Sequence, residues 1–224
     1  MALRKIHKQG EPVLTKKARP VTKFDNRLAQ LIGDMKETIK DANGVGLAAP
    51  QVGILKRVVL IDGGADAGVI VLINPEIVRR EGVQKYYEGC LSYPGYYGDV
   101  GRPESVTIRA QNAKGGAVEY QATRLYAVAC CHELDHLEGE MFMRKVKGPL
   151  YTLEEVKAMR EKDKAEQDAA GMDAAGGMDA AAVDSGEDSP ETAAPAEGYI
   201  RPSHATPGPI GPPPSQEGGL PPNL

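Results

Sequence analysis

The sequence predicts an α+β fold in which small antiparallel β-sheets surround a central helix, followed by a disordered C-terminal tail. Three observations carry this. Short β-branched runs follow one another with only turn residues between them, and crossover helices of the kind parallel strands need are missing. Two segments earlier than residue 140 have helical character, one amphipathic and one apolar through its first half. Beyond residue 170 the composition changes: residues 171–224 hold ten prolines, nine glycines and a single aromatic, Tyr199.

In chain order, residues 25–41 read as an amphipathic helix, because Leu28, Leu31, Ile32, Met35 and Ile39 recur at spacings of three and four. Asp25 suits its N-cap, and Asn43-Gly44 ends it. A glycine-rich apolar passage, residues 44–53, follows. Strands are expected over 57–62, 69–74, 77–80, 106–111 and 118–123, punctuated by Gly63-Gly64, Asn74-Pro75, Gly82 and Gly115-Gly116. Leu125–Leu137 is the second helix. A third, residues 152–170, opens with a capping-box pair, Thr152 and Glu155, and is densely charged. After it comes a near-duplicate, Gly171-Met172-Asp173-Ala174-Ala175 and Gly177-Met178-Asp179-Ala180-Ala181. Such a stretch has too little apolar surface to offset its ordering entropy. The folded domain is expected over residues 1–168 and the disordered acidic tail over 169–224.

Charge follows the same division. Residues 1–160 carry 24 Lys+Arg against 19 Asp+Glu and residues 161–224 carry 3 against 12, within a formal total of -4. The body is too mixed in sign to give an electrostatic case for DNA binding. Residues 1–24 contain no apolar core of signal-peptide length, and no run approaches the ~18 apolar residues of a membrane span, so a cytoplasmic chain is expected. Cys90, Cys130 and Cys131 are odd in number and two are adjacent, which suits reduced thiols better than a disulfide framework.

The strongest local signal is His132-Glu133-Leu134-Asp135-His136. Residues four apart share one helix face, so both imidazoles can reach one metal ion with Glu133 beside it as a proton carrier. A surface helix that happens to spell the same pattern reads identically. A hydrolytic site also needs a third protein ligand and an open position for water. His204 falls in the tail, Glu138 and Glu140 sit too close on the same helix, and His7, in a charged segment, is expected to be exposed. Cys90, within Glu88-Gly89-Cys90-Leu91-Ser92, suits either a buried small apolar residue or a thiolate ligand.

Three segments together resemble the motifs of peptide deformylases, in the family's order and at suitable separations. They are Gly44-Val45-Gly46-Leu47-Ala48-Ala49-Pro50-Gln51, Glu88-Gly89-Cys90-Leu91-Ser92 and His132-Glu133-Leu134-Asp135-His136. The flanks Asn74-Pro75, Pro94-Gly95-Tyr96 and Arg102-Pro103 agree, and the resemblance covers about residues 1–150. It implies a hydrolase that removes the formyl group from N-formylmethionyl nascent polypeptides and releases formate. Cys90, His132 and His136 would hold the metal. Water in the fourth position would have a pKa near ~7. Glu133 would move its proton to the leaving amine. The Gln51 carboxamide and the Leu91 backbone N–H would donate to the developing oxyanion. Val45, Tyr86, Leu125, Val128 and Ala129 would line the methionine pocket. Gly44, Gly46 and Gly89 would let the substrate approach the backbone closely.

The resemblance implies Fe²⁺ as the native ion, although two imidazoles, a thiolate and water also suit Zn²⁺ or another divalent transition metal. Two residues depart from the family pattern: Cys131 stands where Gln is usual, and Tyr97 where Arg sometimes stands. Members of the family that this chain resembles can reach the ribosome through a basic C-terminal helix. Here residues 152–170 hold four basic and six acidic residues. Only weak, salt-sensitive ribosome association is therefore expected, through Arg144, Lys145 and Lys147. A zinc peptidase using the same helix motif would not need Cys90. A non-catalytic metal-binding module would not need Gln51.

Overall fold

The computed structural model describes residues 2–159, 161–162 and 198–203. Helix α1, Asn26–Asp41, forms where the periodicity places it, and the Asp25 carboxylate caps it by accepting from the Leu28 amide at 3.0 Å. The chain then runs through β1 (Gly46–Ala48), a 3₁₀ turn (Ala49–Val52), β2 (Val58–Asp62), a single-turn helix α2 (Gly64–Ala67) and β3 (Val69–Glu81). β4 (Gln84–Cys90), β5 (Tyr93–Arg102), β6 (Ser105–Gln111) and β7 (Ala117–Thr123) lead into α3 (Leu125–Leu137). Two short strands follow, β8 (Leu150–Tyr151) and β9 (Ile200–Pro202).

Among the described residues the strands make a six-stranded sheet, in the order β1-β2-β3-β6-β7-β9, and a three-stranded sheet, β4-β5-β8. Every ladder between them is antiparallel. β2 shows how the larger sheet separates two cores. Alternate side chains of a strand point to opposite faces. Val58 and Leu60 join Leu28, Met35 and Ile39 of α1, whereas Val59 and Ile61 join Ala127, Cys130 and Leu137 of α3. A third cluster, Leu14, Cys90, Val100, Met141 and Phe142, fills the space under the smaller sheet. α3 therefore touches β1, β2 and β7 on one side and β5 on the other.

Several expectations need correction. Asn74-Pro75 is not a turn between two strands, because β3 runs through it with a register shift against β6 between Ile73 and Glu76. A bulge accommodates both the missing proline N–H and the left-handed φ of +51° at Asn74. β4 and β5 were not expected as strands, since their tyrosines and glycines mask the β-branched signal. Within the segment expected to be a disordered tail, residues 198–203 lie along β7, with Ile200 buried. The average composition of 171–224 hides this local Tyr199-Ile200 pair. The remainder of 169–224 lies outside the described residues, as does the end of the third helix. That helix is present over 153–159 and 161–162, and its capping box forms. There Thr152 N donates to Glu155 at 2.7 Å and Glu155 N to the Thr152 hydroxyl at 3.3 Å.

Asn74 ties the bulge to the start of the domain. Its Oδ1 accepts from Val21 N at 2.8 Å, and its Nδ2 donates to Val21 O at 2.9 Å and to Gln111 Oε1 at 2.7 Å. Asn74→Ala loses all three bonds and forces a Cβ-bearing residue that lacks a local hydrogen-bonding group into the left-handed region. It should lower unfolding stability by about 2 kcal/mol. Asn74→Gly should recover only the backbone part. Urea unfolding of the three proteins checks this, and a change within about 0.5 kcal/mol for Asn74→Ala would contradict it.

Candidate active site

Cys90 lies at the end of β4, and His132 and His136 lie one turn apart on α3. All three side chains are buried, and their ligand atoms fall within 4.8 Å of one another. Cys90 Sγ is 3.3 Å from His136 Nε2. The other nitrogen of His132, Nδ1, is 2.8 Å from Glu88 Oε2, which leaves Nε2 as the ring atom available to the cluster. A register shift between Gly89 and Cys90 re-aims the end of β4.

Behind the cluster lies an ion network that the sequence reading did not assign. Arg102, on β5, donates to both oxygens of Glu88 (2.5 and 3.0 Å) and to Asp135 Oδ2 at 2.8 Å. Lys145 reaches the other Asp135 oxygen at 2.5 Å. The side chains of Arg102 and Glu88 are 6% and 2% exposed, so neither charge could stay buried without the other. Burial pushes the Glu88 pKa up, but Arg102 and His132 outweigh it and hold the carboxyl below its ordinary range. Burial likewise opposes a charged His132, yet Cys90 and Glu88 hold that imidazole well above its ordinary pKa. His136 is pushed well below it, by burial and then by His132. A thiol and two imidazoles, buried with their ligand atoms within 4.8 Å of one another, are a donor set for a divalent transition metal. The residues present fit a metal ion.

Glu133 is next to the ligands but is not among them. It is 4% exposed, its Oε2 has no hydrogen-bond partner among the described residues, and burial pushes its carboxyl up to about 7. Gln51 is buried too. Its Oε1 accepts from Ala48 N at 2.8 Å, which turns Nε2 toward Ser92 Oγ (3.3 Å) and Cys90 Sγ (3.7 Å).

A cleft of about 620 Å³ opens over His132, Glu133 and Cys90. Val45, Gly46, Tyr86, Gly89, Leu91, Leu125, Val128 and Ala129 all line it. Ala129 also belongs to the core between α3 and the larger sheet. The glycines, which also line the cleft, have a packing role besides. A Cβ at Gly46 would meet Glu133 Cγ at 2.7 Å, one at Gly89 would meet the Tyr97 ring at 2.6 Å, and one at Gly44 would meet Leu91 Cδ1 at 2.8 Å. Each glycine makes room for a neighbouring side chain of the protein itself. His7 is half-buried rather than exposed, with Nδ1 2.5 Å from Glu11 and its ring under Gly53. Cys131 and Cys130 are buried in the core on α3, and burial first of all raises their thiols, Cys131 to about 11. Spacing could have revealed Glu88, which stands two residues from Cys90 on one strand. For Arg102 the sequence carries no such signal.

The model of the family described as "polypeptide deformylase" matches residues 3–150. The peptide deformylase of Alkaliphilus metalliredigens is 54% identical over 146 residues, 65% of this chain and 98% of that relative. That of Caldicellulosiruptor bescii is 52% identical over 146 residues, 65% of this chain and 87% of the relative. Among solved structures, a peptide deformylase from Legionella pneumophila superposes with a TM-score of 0.64 at 41% identity, covering 75% of this chain and 98% of that one. The Thermotoga maritima peptide deformylase gives 0.63 at 38% identity, with 66% and 100% covered.

Arg102→Met keeps much of the apolar stem but leaves Glu88 and Asp135 without their shared cation. It should cost roughly 3–5 kcal/mol of stability, the scale for breaking a buried pair. With His132 no longer oriented, metal affinity should fall about 10–100-fold. Urea unfolding and a competitive metal titration read the two effects, and wild-type values for both would show that the network is incidental.

Proposed function

The chain belongs to the polypeptide deformylase family, and on that premise we propose which of its residues perform the reaction and with which metal. It is a metal-dependent hydrolase that removes the formyl group from the N-terminal formylmethionine of newly made polypeptides. The observation that carries the residue assignment is the convergence of Cys90, His132 and His136, the first two lining the cleft, beside the buried Glu133 carboxyl, whose Oε2 has no hydrogen-bond partner among the described residues.

Cys90, His132 and His136 would hold a divalent cation, and α3 would be the central helix that carries the H-E-x-x-H pair. The ion, when bound, supplies Lewis acidity that makes water acidic enough to yield hydroxide near neutral pH. Glu133 accepts the proton as water attacks the formyl carbon. The C–N bond then breaks and Glu133 returns the proton to the amine, since an amide nitrogen leaves poorly unprotonated. Its burial beside the candidate ligands, with Oε2 unpartnered among the described residues, leaves an oxygen available for that transfer. Oxygen that becomes negative on the formyl carbon is stabilised by the Gln51 Nε2–H and the Leu91 N–H. Support for Gln51 comes from its orientation, which Ala48 N fixes so that the amide nitrogen lies against Cys90.

Methionine enters the part of the cleft lined by Val45, Tyr86, Leu125, Val128 and Ala129. Fe²⁺ is the proposed native ion, with Zn²⁺ or another divalent transition metal able to take its place. Residues 1–168 are taken as the catalytic domain and residues 169–224 as the acidic tail, apart from the strand at 198–203. The proposed compartment is the cytoplasm, where nascent chains are made. No described helix is long and apolar enough to cross a membrane. Ribosome contact is proposed to be weak. Lys145 is engaged by Asp135 and Glu140, which leaves exposed Arg144 and Lys147.

Formate release from an N-formyl-Met peptide, with anaerobic metal analysis of the same sample, tests the assignment. Cys90→Ala should lose most of its metal, because two imidazoles make an incomplete site, while alanine at Cys130 or Cys131 should leave about one ion per chain. Stoichiometric metal and normal rate in Cys90→Ala would remove the thiolate from the ligand set.

Glu133→Ala should keep the metal and lose about 10²–10⁴-fold in rate. Gln51→Ala should lose about 10²–10³-fold in kcat with a smaller change in KM. Metal content and rate measured on the same preparations separate the roles. A metal-loaded Glu133→Ala enzyme retaining more than about a tenth of normal activity would exclude that residue as the proton carrier.

A further inference from the structure

The outer edge of β7 is occupied by a part of the chain that lies beyond the 3–150 match to the family, and the fit is specific. Ile200, Arg201 and Pro202 pair antiparallel with Ala122, Gln121 and Tyr120. Thr123 N donates to Tyr199 O, and Ser203 N to Glu119 O, each at 2.8 Å. Tyr199 N donates to the Thr123 hydroxyl at 3.1 Å and its phenol to Gln121 Oε1 at 3.4 Å, and the Arg201 guanidinium lies 4.2 Å from the Tyr199 ring centre.

Three residues of this segment are matched to their places. Ile200 is 4% exposed and joins Ile70 and Ala122 in the core, where a Cβ on Gly63 would already meet its Cγ2 at 3.3 Å. Gly198 has φ +89°, and a Cβ there would collide with the Thr123 carbonyl oxygen and approach Arg124 Cβ to 2.8 Å, so no side chain fits. The inward bonds fall at Tyr199 and Ser203, so alternation turns the backbone N positions of residues 200 and 202 outward. Pro202 has no N–H to offer there, which blunts the new edge against further pairing.

We propose that the edge of β7 is a strand-docking site whose ligand is this chain's own residues 198–203, held in cis. The site takes an extended peptide with glycine, an aromatic, a β-branched aliphatic, a basic residue and proline in succession. Main-chain bonds supply much of the attachment, and the Ile200 socket and the Gly198 contact supply selection. The docked strand ends the larger sheet, which would otherwise present a bare β7 to any other chain. This does not depend on the deformylase assignment.

The test uses the full chain and its Ile200→Asp variant, which places a charge in the apolar socket. Amide hydrogen exchange at Gln121 and Thr123 is followed together with sedimentation mass and deformylation rate. The variant should lose protection at both amides by more than about tenfold, with its deformylation rate within about threefold of normal. A synthetic peptide of residues 197–203 should restore that protection in the variant and change nothing in the wild-type chain, whose site is filled. The same peptide carrying Ile200→Asp should not rescue. Equal exchange in the two proteins, failure of the wild-type peptide to protect, or a wild-type dimer that Ile200→Asp converts to monomer would each overturn docking in cis.

Discussion

The carboxylate of Glu88 is the link on which the site depends. It leaves β4 two residues before Cys90, is gripped by Arg102 from β5, and meets His132 on α3. A buried carboxylate is tolerable only when such partners surround it, so the three elements cannot drift apart without exposing an unpaired charge. That requirement sets the spacing between the smaller sheet and the helix. It also selects the His132 nitrogen that faces Cys90. The grouping of Cys90, His132 and His136 therefore leans on an ion network and is not a free-standing set of three side chains.

The larger architecture was legible because it rests on periodicity. The apolar spacing of α1, the uninterrupted apolar opening of α3 and the β-branched runs of β2, β6 and β7 all match their observed spans closely. Periodicity failed where backbone geometry overrides residue type. β3 passes through Asn74-Pro75 because a bulge absorbs what would otherwise stop a strand. β4 and β5 are held by pairing with each other, which no local propensity reports. Residues 198–203 were hidden by averaging: a few fitted residues within a long low-complexity stretch leave composition almost unchanged.

The candidate site was legible through motif spacing, and its supporting residues were less so. Glu133, Gln51 and the three candidate ligands stand in the motif segments, and the cleft gathers the expected lining residues. The glycines were recognised as places where space is needed, but sequence does not say what fills the space. Gly46 gives way to Glu133, and Gly89 to the ring of Tyr97, one of the two residues that depart from the family pattern. Arg102 is recognisable only as part of a matching flank, and its pairing is not, because its partners lie 14 and 33 positions away.

Sequence separation of this kind also bears on the order in which the cluster assembles as the chain is made. Cys90 and His136 are 46 positions apart, and Glu88 and His132 are 44. Contacts between such distant positions form late, since the closure entropy of the intervening chain must be met before they contribute. While the polypeptide is still emerging from the ribosome, β4 can be complete long before α3 is available to face it. Until α3 docks, the thiol of Cys90 is without the imidazole of His136 that stands beside it in the folded chain. The order of assembly is thus written into the chain: the sulfur comes first, and the helix that completes its surroundings comes last.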